Sequence, residues 1–485
     1  QRGVRMSDHV NPGGIVNGRA AVVTLTFLGF TLQLLQVGII PLLPTIGREL
    51  HVTPGATSWL VTAGLLSGAI ALAVLTKLAD LYGKRPMILV SLVLVLAGCV
   101  LGSLTSSFPL LIVSRVLMGA LLPMLALPEA VANDTMPPRR AHLTIGAIHA
   151  GNGAGVGGGL LLGALVGVHP GAWHVFFYTG TVMTIIGLAA TLLFVRDSPF
   201  RAEGRLDVTG AVLLAAALSC VLLGLSEGPV WGWGSFAVVG LLAGGVVLFA
   251  GWLLHAGRAR HPLIRLSAVI GPDVRVPYLV TFLIAFGIYG SLTAVTRYAQ
   301  AVPHLTGYGY GYTALRTGWF ALPQTLGGIA GAFLLQRMGR HRNTALAAGT
   351  GAALITLSFL GYLALHGVPV LMMTSLGLSS MGLALGLAAT QLMVLRVVPS
   401  SESGIALGIS VVMYAVGNSF GSDVVGMLFS GMRLPGGMPS RDAFLTSFWL
   451  CGGAALLAVL ISLWHVRTRP ATAGPVIAPT TKEPA

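Results

Sequence analysis

The chain has 485 residues, of which 55% are hydrophobic and 9% charged, at a mean hydropathy of +0.85; a soluble domain carries roughly a quarter charged residues. Water is therefore excluded as its main solvent. In a soluble protein the formal charge of +14 would point to nucleic acid, but here acidic lipid headgroups are the expected counter-charges and nucleic acid is not an expected partner.

A bilayer core of roughly 30 Å needs about 20 apolar residues per helix. Cutting the chain at polar clusters and turn residues predicts an all-α membrane protein with fourteen transmembrane helices grouped six, two and six. Residues 1–19 read as a polar cytoplasmic segment lacking the short apolar stretch of a cleaved leader, so the first hydrophobic helix is expected to stay. An N-terminal bundle, 20–195, holds spans at 20–43, 57–76, 86–104, 110–131, 143–166 and 174–195. Residues 196–275 carry two inserted helices, 208–226 and 235–255. A C-terminal bundle, 276–466, holds 276–298, 315–336, 343–365, 369–395, 404–428 and 443–466. The Pro-, Ala- and Thr-rich tail, 467–485, is expected to be disordered and cytoplasmic.

On this segmentation about 22 of the 28 Lys and Arg fall on one side, about 5 on the other, and Arg115 lies within the membrane. The positive-inside rule then puts both termini in the cytoplasm. Repeated halves around a central site are common in transporters, and the chain carries a weak repeat. The loop TKLADLYGKRP (76–86) after span 2 and LLQRMGRHRN (334–343) after span 10 both set a glycine among cations.

Ionisable residues inside the spans are few, and the polar side chains nearest Leu35 are glutamines. Gln33 and Gln36 lie in span 1, Arg115 and Glu129 in span 4, His149 in span 5 and Asp423 in span 13. Intramembrane ionisable groups are costly and read as functional by default. The alternatives are an arginine tied to backbone carbonyls, an interfacial partnership of Glu129 with Arg139 or Arg140, and buried groups satisfied by neighbours at Asp423 and His149. Asp134 reads as a loop charge. Asp80, at the C-terminal end of span 2, faces an unfavourable helix dipole and needs cationic partners or another helix's N-terminus; Lys84 and Arg85 are close in sequence.

Gly151, Gly155, Gly159, Gly163 and Gly167 recur every four residues in span 5 and predict close helix packing. Gly327 and Gly331 in span 10 form a shorter stripe that could face it. Tyr289, Tyr298, Trp319 and Phe320 are candidates for an adaptable apolar cavity lining. Cys99, Cys220 and Cys451 sit in apolar runs at no metal-ligand spacing, so no metal is implied.

Leu78, Ala79, Asp80, Gly83, Lys84 and Arg85, with Arg115 and Gly119, resemble the loop and fourth-helix motifs of the major facilitator superfamily. RLDVTG (205–210), GPVWGWGS (228–235), HPLIRL (261–266) and residues 298–323 resemble its fourteen-span drug:proton antiporter branch. The resemblance implies a major facilitator fold and a secondary exporter of small amphipathic or drug-like molecules in a bacterial inner (cytoplasmic) membrane. It implies alternating access, protons as coupling partner, no cofactor and a monomer. It further implies that Asp80, Gly83, Lys84 and Arg85 form a conformational lock against the start of span 13, near Ser401 to Gly404, and that Arg115 takes part in proton coupling or cavity electrostatics.

Two departures matter. Leu35 stands where the branch carries a first-helix aspartate, and Gly153–Ala154 stands at its Gly-Pro pair. They keep open a lipid translocator or a uniporter without proton coupling. A membrane enzyme or sensor rests only on G-x-G-x-x-G at Gly153, Gly155 and Gly158 and on G-x-S-x-G around Ser419, both inside spans rather than at strand-to-helix turns. No G-x-x-x-x-G-K-[ST] occurs, so ATP is not an expected energy source.

Overall fold

The computed structural model describes residues 18–52, 54–167, 169, 171–201, 207–259, 271–320, 322–338, 344–365, 367–398, 403–434 and 438–468. The terminal segments, residues 260–270 with the HPLIRL stretch, and residues 339–343 lie outside them. The fold is all-α. Its principal helices are α1 (Gly18–Val37), α2 (Pro54–Tyr82), α3 (Lys84–Leu104), α4 (Phe108–Met118, resuming at Leu127–Thr135), α5 (Pro138–Gly167), α6 (Trp173–Phe194) and α7 (Val208–Trp231). They continue as α8 (Phe236–Arg258), α9 (Pro272–Gln300), α10 (Leu322–Met338), α11 (Thr344–Leu365), α12 (Pro369–Val397), α13 (Ser403–Gly431) and α14 (Arg441–Thr468). Among the described residues, twelve helices are long and apolar enough to cross a membrane; Val208–Val221 and Leu322–Leu335 are shorter apolar stretches.

Proline and glycine set the breaks. Pro123 lies inside a buried 3-10 stretch, Gly119–Leu125, that interrupts α4, because its ring removes a donor and crowds the preceding turn. Pro128 then restarts the helix within its first two positions, leaving Glu129 in the first turn of Leu127–Thr135, near the positive end of that helix's dipole. Gly83 separates α2 from α3 at φ +124, a conformation that L side chains rarely adopt.

The helix pairing repeats. α1 packs on α5 and α6, α2 on α4, and α3 on α6; correspondingly α9 packs on α13 and α14, α10 on α12, and α11 on α14. Across the molecule α2 meets α13 and α5 meets α10. The α5 stripe lies on α1: a Cβ at Gly151 would come within 2.5 Å of the Thr26 carbonyl, and one at Gly159 within 2.6 Å of that of Leu34. Gly155 meets the Phe30 carbonyl between them and Gly163 the Gly38 carbonyl beyond, so the helices run parallel in register. Gly417 and Gly421, the glycines of the G-x-S-x-G match, pack likewise on the Phe282 and Phe286 carbonyls of α9.

Gly327 and Gly331 do not face α5. They meet Gly377 and Met381 of α12, while Gly153 and Gly328 make the α5–α10 approach, with 3.5 Å from a Cβ at either to the other's Cα. Gly153 stands two positions from Gly151 and Gly155, and Gly328 one from Gly327, offsets that turn to different faces of a helix, so each of these helices carries two small-residue faces.

α7 and α8 form a hairpin. Asp207 caps α7 by accepting from the Gly210 amide at 2.8 Å and lies 2.9 Å from His255 Nε2 near the end of α8. Its apolar side packs over the seam between α2 and α13, where Leu214, Leu218 and Trp252 join Ala69, Ala73 and Ile409 in one buried cluster.

Candidate functional site

A central cavity of about 330 Å³ opens between the two repeated sets of helices. Its walls are mainly apolar, with polar groups at Gln33 and Gln36 of α1, Tyr289 of α9, and Tyr414, Asn418, Ser419 and Ser422 of α13. The Tyr289 and Tyr414 hydroxyls are 2.5 Å apart and bridge the two helices. A smaller chamber of about 40 Å³ shares Gln33, Leu125, Tyr289, Val411 and Tyr414 with it and adds His149, Asn152 and Gln391.

Glu129 and His149 meet behind that chamber. Glu129 Oε1 lies 2.9 Å from His149 Nε2, with the carboxyl fully buried and the imidazole 6% exposed. The two atoms are close but out of line for a hydrogen bond; Asn152 Oδ1 and Gln391 Oε1 are likewise buried without a hydrogen-bond partner among the described residues. Buried polar atoms are rarely left so, and a polar chamber of this size suits bridging water. Glu129 thus faces His149, not the Arg139 or Arg140 considered from sequence.

Where α2 ends and α13 begins, a second charged cluster joins the helix sets. Lys84 is fully buried. Its ammonium lies 3.9 Å from Asp80, pairs closely with Asp134 and donates to Ser403 Oγ at 2.8 Å. Asp134 is thereby corrected from a loop charge: it lies in the last turn of α4, its side chain is fully buried, and Ser198 Oγ donates to it at 2.5 Å. Arg85 turns to the end of α6, its amide donating to Asp197 Oδ1 at 3.0 Å and its guanidinium to the Leu192 carbonyl at 2.7 Å. Asp197 also occupies the space where a Gly83 side chain would stand.

Arg115 is 4% exposed and donates to the carbonyls of Leu60 at 2.9 Å and Leu35 at 3.3 Å. It lines a small pocket beside Gln36, and among the described residues no hydrogen bond or ion pair joins it to Glu129 or His149. The Leu35 side chain packs against Gly180 of α6, away from the cavity.

Three proposed lining residues lie elsewhere. Tyr298 and Phe320 belong to an aromatic cluster with Tyr308, Tyr310 and Phe444, built by the Gly-Tyr loop after α9; Tyr298 stacks on Tyr308 at 5.5 Å. Trp319 is 52% exposed on the outer surface. Asp423 lies within α13, but its side chain is outside the described residues. Sequence reading missed Tyr414, Asn152, Gln391 and Asp197. Asn152 follows His149 by three positions on one helix face, and Gln391 interrupts an apolar run; polar side chains in mid-span were the available signal.

The sequence profile of the Major Facilitator Superfamily matches residues 23–208 and 275–484. A "Tetracenomycin C resistance and export protein" of Streptomyces glaucescens is 31% identical over 396 residues, 80% of this chain and 71% of that one. "Multidrug resistance protein Stp" of Mycobacterium tuberculosis is 28% identical over 425 residues, 85% of this chain and 76% of its own. The crystal structure of the human organic anion transporter MFSD10 (TETRAN) superposes with a TM-score of 0.64 at 17% identity, covering 92% of this chain and 99% of that one.

Proposed function

The chain belongs to the major facilitator superfamily and is a membrane transporter rather than an enzyme, and on that premise we propose that it exports small amphipathic, drug-like molecules by alternating access, driven by inward proton movement. The buried Glu129–His149 pair, one shell behind the central cavity, carries the reading. A titratable pair that meets the cavity through Gln33, Tyr289 and Tyr414 can exchange a proton as the two helix sets rock. The resistance and export roles in the relatives' names support the direction and the substrate class.

The same reading has fourteen spans, with both termini in the cytoplasm of a bacterial cell. The α7–α8 hairpin is the inserted pair between six-helix bundles at 20–195 and 276–466, and α10 with the preceding short helix Ala314–Phe320 crosses as one span. The Lys84 cluster closes the cytoplasmic end. Arg115 holds α1 and α2 on α4, and Asp423 remains a candidate for coupling.

The test is flux in proteoliposomes with and without an imposed proton gradient. Wild type should concentrate substrate against its gradient, and Glu129→Gln should transport downhill only. Loss of coupling in Asp423→Asn alone would move the site to α13. Wild-type flux indifferent to the gradient would establish the second reading, a lipid translocator or uniporter, which Leu35 in place of the branch's aspartate favours.

A further inference from the structure

Two of the three guanidinium nitrogens of Arg115 bind backbone, Nε the Leu60 carbonyl and Nη1 that of Leu35. The third, Nη2, has no hydrogen-bond partner among the described residues and is not walled off as the Glu129 oxygens are. Arg115 lines a pocket of about 20 Å³ with Gln36, Gly64 and Leu65 among its neighbours. A Cβ at Gly64 would stand 3.4 Å from Nη2, so the missing side chain leaves that nitrogen its opening. Gln36, Val61, Leu65 and Leu122 also line the central cavity, and the pocket borders it along those four side chains. Among the described residues no carboxylate pairs with Arg115 or lines either space; the titratable group that acts on it is the Cys99 thiol. A buried cation without a counter-charge is strongly unfavourable. One water fits this volume but supplies no charge, whereas an anionic oxygen supplies both acceptor and counter-charge, in a hydrogen bond roughly twice as strong as a neutral one.

We propose that Arg115 Nη2 is the anion-recognition point of the transport cavity and that the substrates are acidic amphipathic molecules. Their carboxylate, phenolate or enolate oxygen takes the place of the water beside Nη2, and their apolar body stays in the central cavity against Leu65 and Leu122. The two carbonyl bonds hold the guanidinium plane, so the donor is in place before the anion arrives and little ordering remains to be done on binding. No second cation lines the cavity among the described residues, so discrimination between an acid and its neutral isostere falls to Arg115. This names the substrate class within the export reading and rests on it.

The test uses the full chain in nanodiscs of zwitterionic lipid, in gluconate buffer at neutral pH, with 2-naphthoate and 2-naphthamide, which share a shape and differ in charge. After subtraction of partitioning into empty discs, wild type should bind the acid more tightly by about ten- to a hundredfold. Arg115→Gln should abolish that preference. Should this variant unfold for want of its carbonyl bonds, Gly64→Ala provides the readout: its methyl makes an ordinary contact with Nη2, fills the opening and leaves both carbonyl bonds in place. The preference should then fall close to unity at an unchanged thermal midpoint. Preference absent in wild type, or retained in either variant, overturns the proposal. So does a preference that physiological chloride abolishes, which would make a small inorganic anion the occupant, or one that anionic lipid in the discs abolishes, which would make it a lipid headgroup. Binding needs no gradient, so intact preference with absent uphill transport would defeat the export reading alone, and uphill transport without preference for the acid would defeat the anion site alone.

Discussion

Lys84 holds two buried carboxylates, Asp80 and Asp134, and a hydroxyl from the opposite helix set. Removing one member of such a group leaves uncompensated charge and typically costs about 3–5 kcal/mol. Lys84→Met should therefore lower the thermal midpoint sharply in detergent, and adding Asp134→Asn should recover part of the loss; an unchanged midpoint in the single variant would show that the cluster is solvated. Gly83→Ala should be damaging for a different reason, because φ +124 and the crowding by Asp197 both exclude a Cβ. The measurement is again thermal, with Asp197→Ala as the variant that relieves the crowding but not the backbone strain.

Between α1 and α5 the contact is made by backbone against backbone, which only glycine permits at this distance. Adjacent positions on α5 separate packing from propensity. A Cβ at Gly159 would come within 2.6 Å of the Leu34 carbonyl, whereas one at Gly158 would make ordinary contacts, with the Phe30 ring at 3.5 Å and Leu34 Cδ1 at 3.7 Å. Alanine gains about 1 kcal/mol of helix propensity over glycine at either site, and overpacking costs typically 1–3 kcal/mol. Gly158→Ala should be neutral or stabilising and Gly159→Ala destabilising, compared by thermal unfolding of the two variants; equal midpoints would mean that α1 shifts to accommodate the methyl.

Viewed whole, the molecule has two sets of helices joined at α2–α13 and α5–α10, with the cavity between them. The Lys84–Ser403 hydrogen bond ties the first of these seams. A hydrogen bond to a charged group contributes roughly 1.5–3 kcal/mol, so Ser403→Ala should shift the closed-to-open ratio at that end by about tenfold or more. Spin-label distances between Tyr82 and the end of α12 should show the longer component grow; an unaltered distribution would mean that helix packing alone keeps the seam shut.

Hydrophobic length and glycine spacing determined the membrane-spanning all-α class, the position of most helices and the small-residue stripe on α5, because those signals repeat within one helix and need no partner. The loop motif likewise pointed to Lys84 and Asp80. Tertiary structure alone decided which residues meet: Glu129 with His149 rather than Arg139 or Arg140, Asp134 inside rather than in the loop, and Gly327 on α12 rather than α5. It also removed Tyr298, Trp319 and Phe320 from the cavity, put Tyr414 there and set Asn152 and Gln391 in the adjoining chamber. The reason is geometric: a cavity wall is assembled from single turns of helices far apart in sequence, and the rotation of each helix about its own axis is fixed by its neighbours, a quantity that spacing along one chain does not contain.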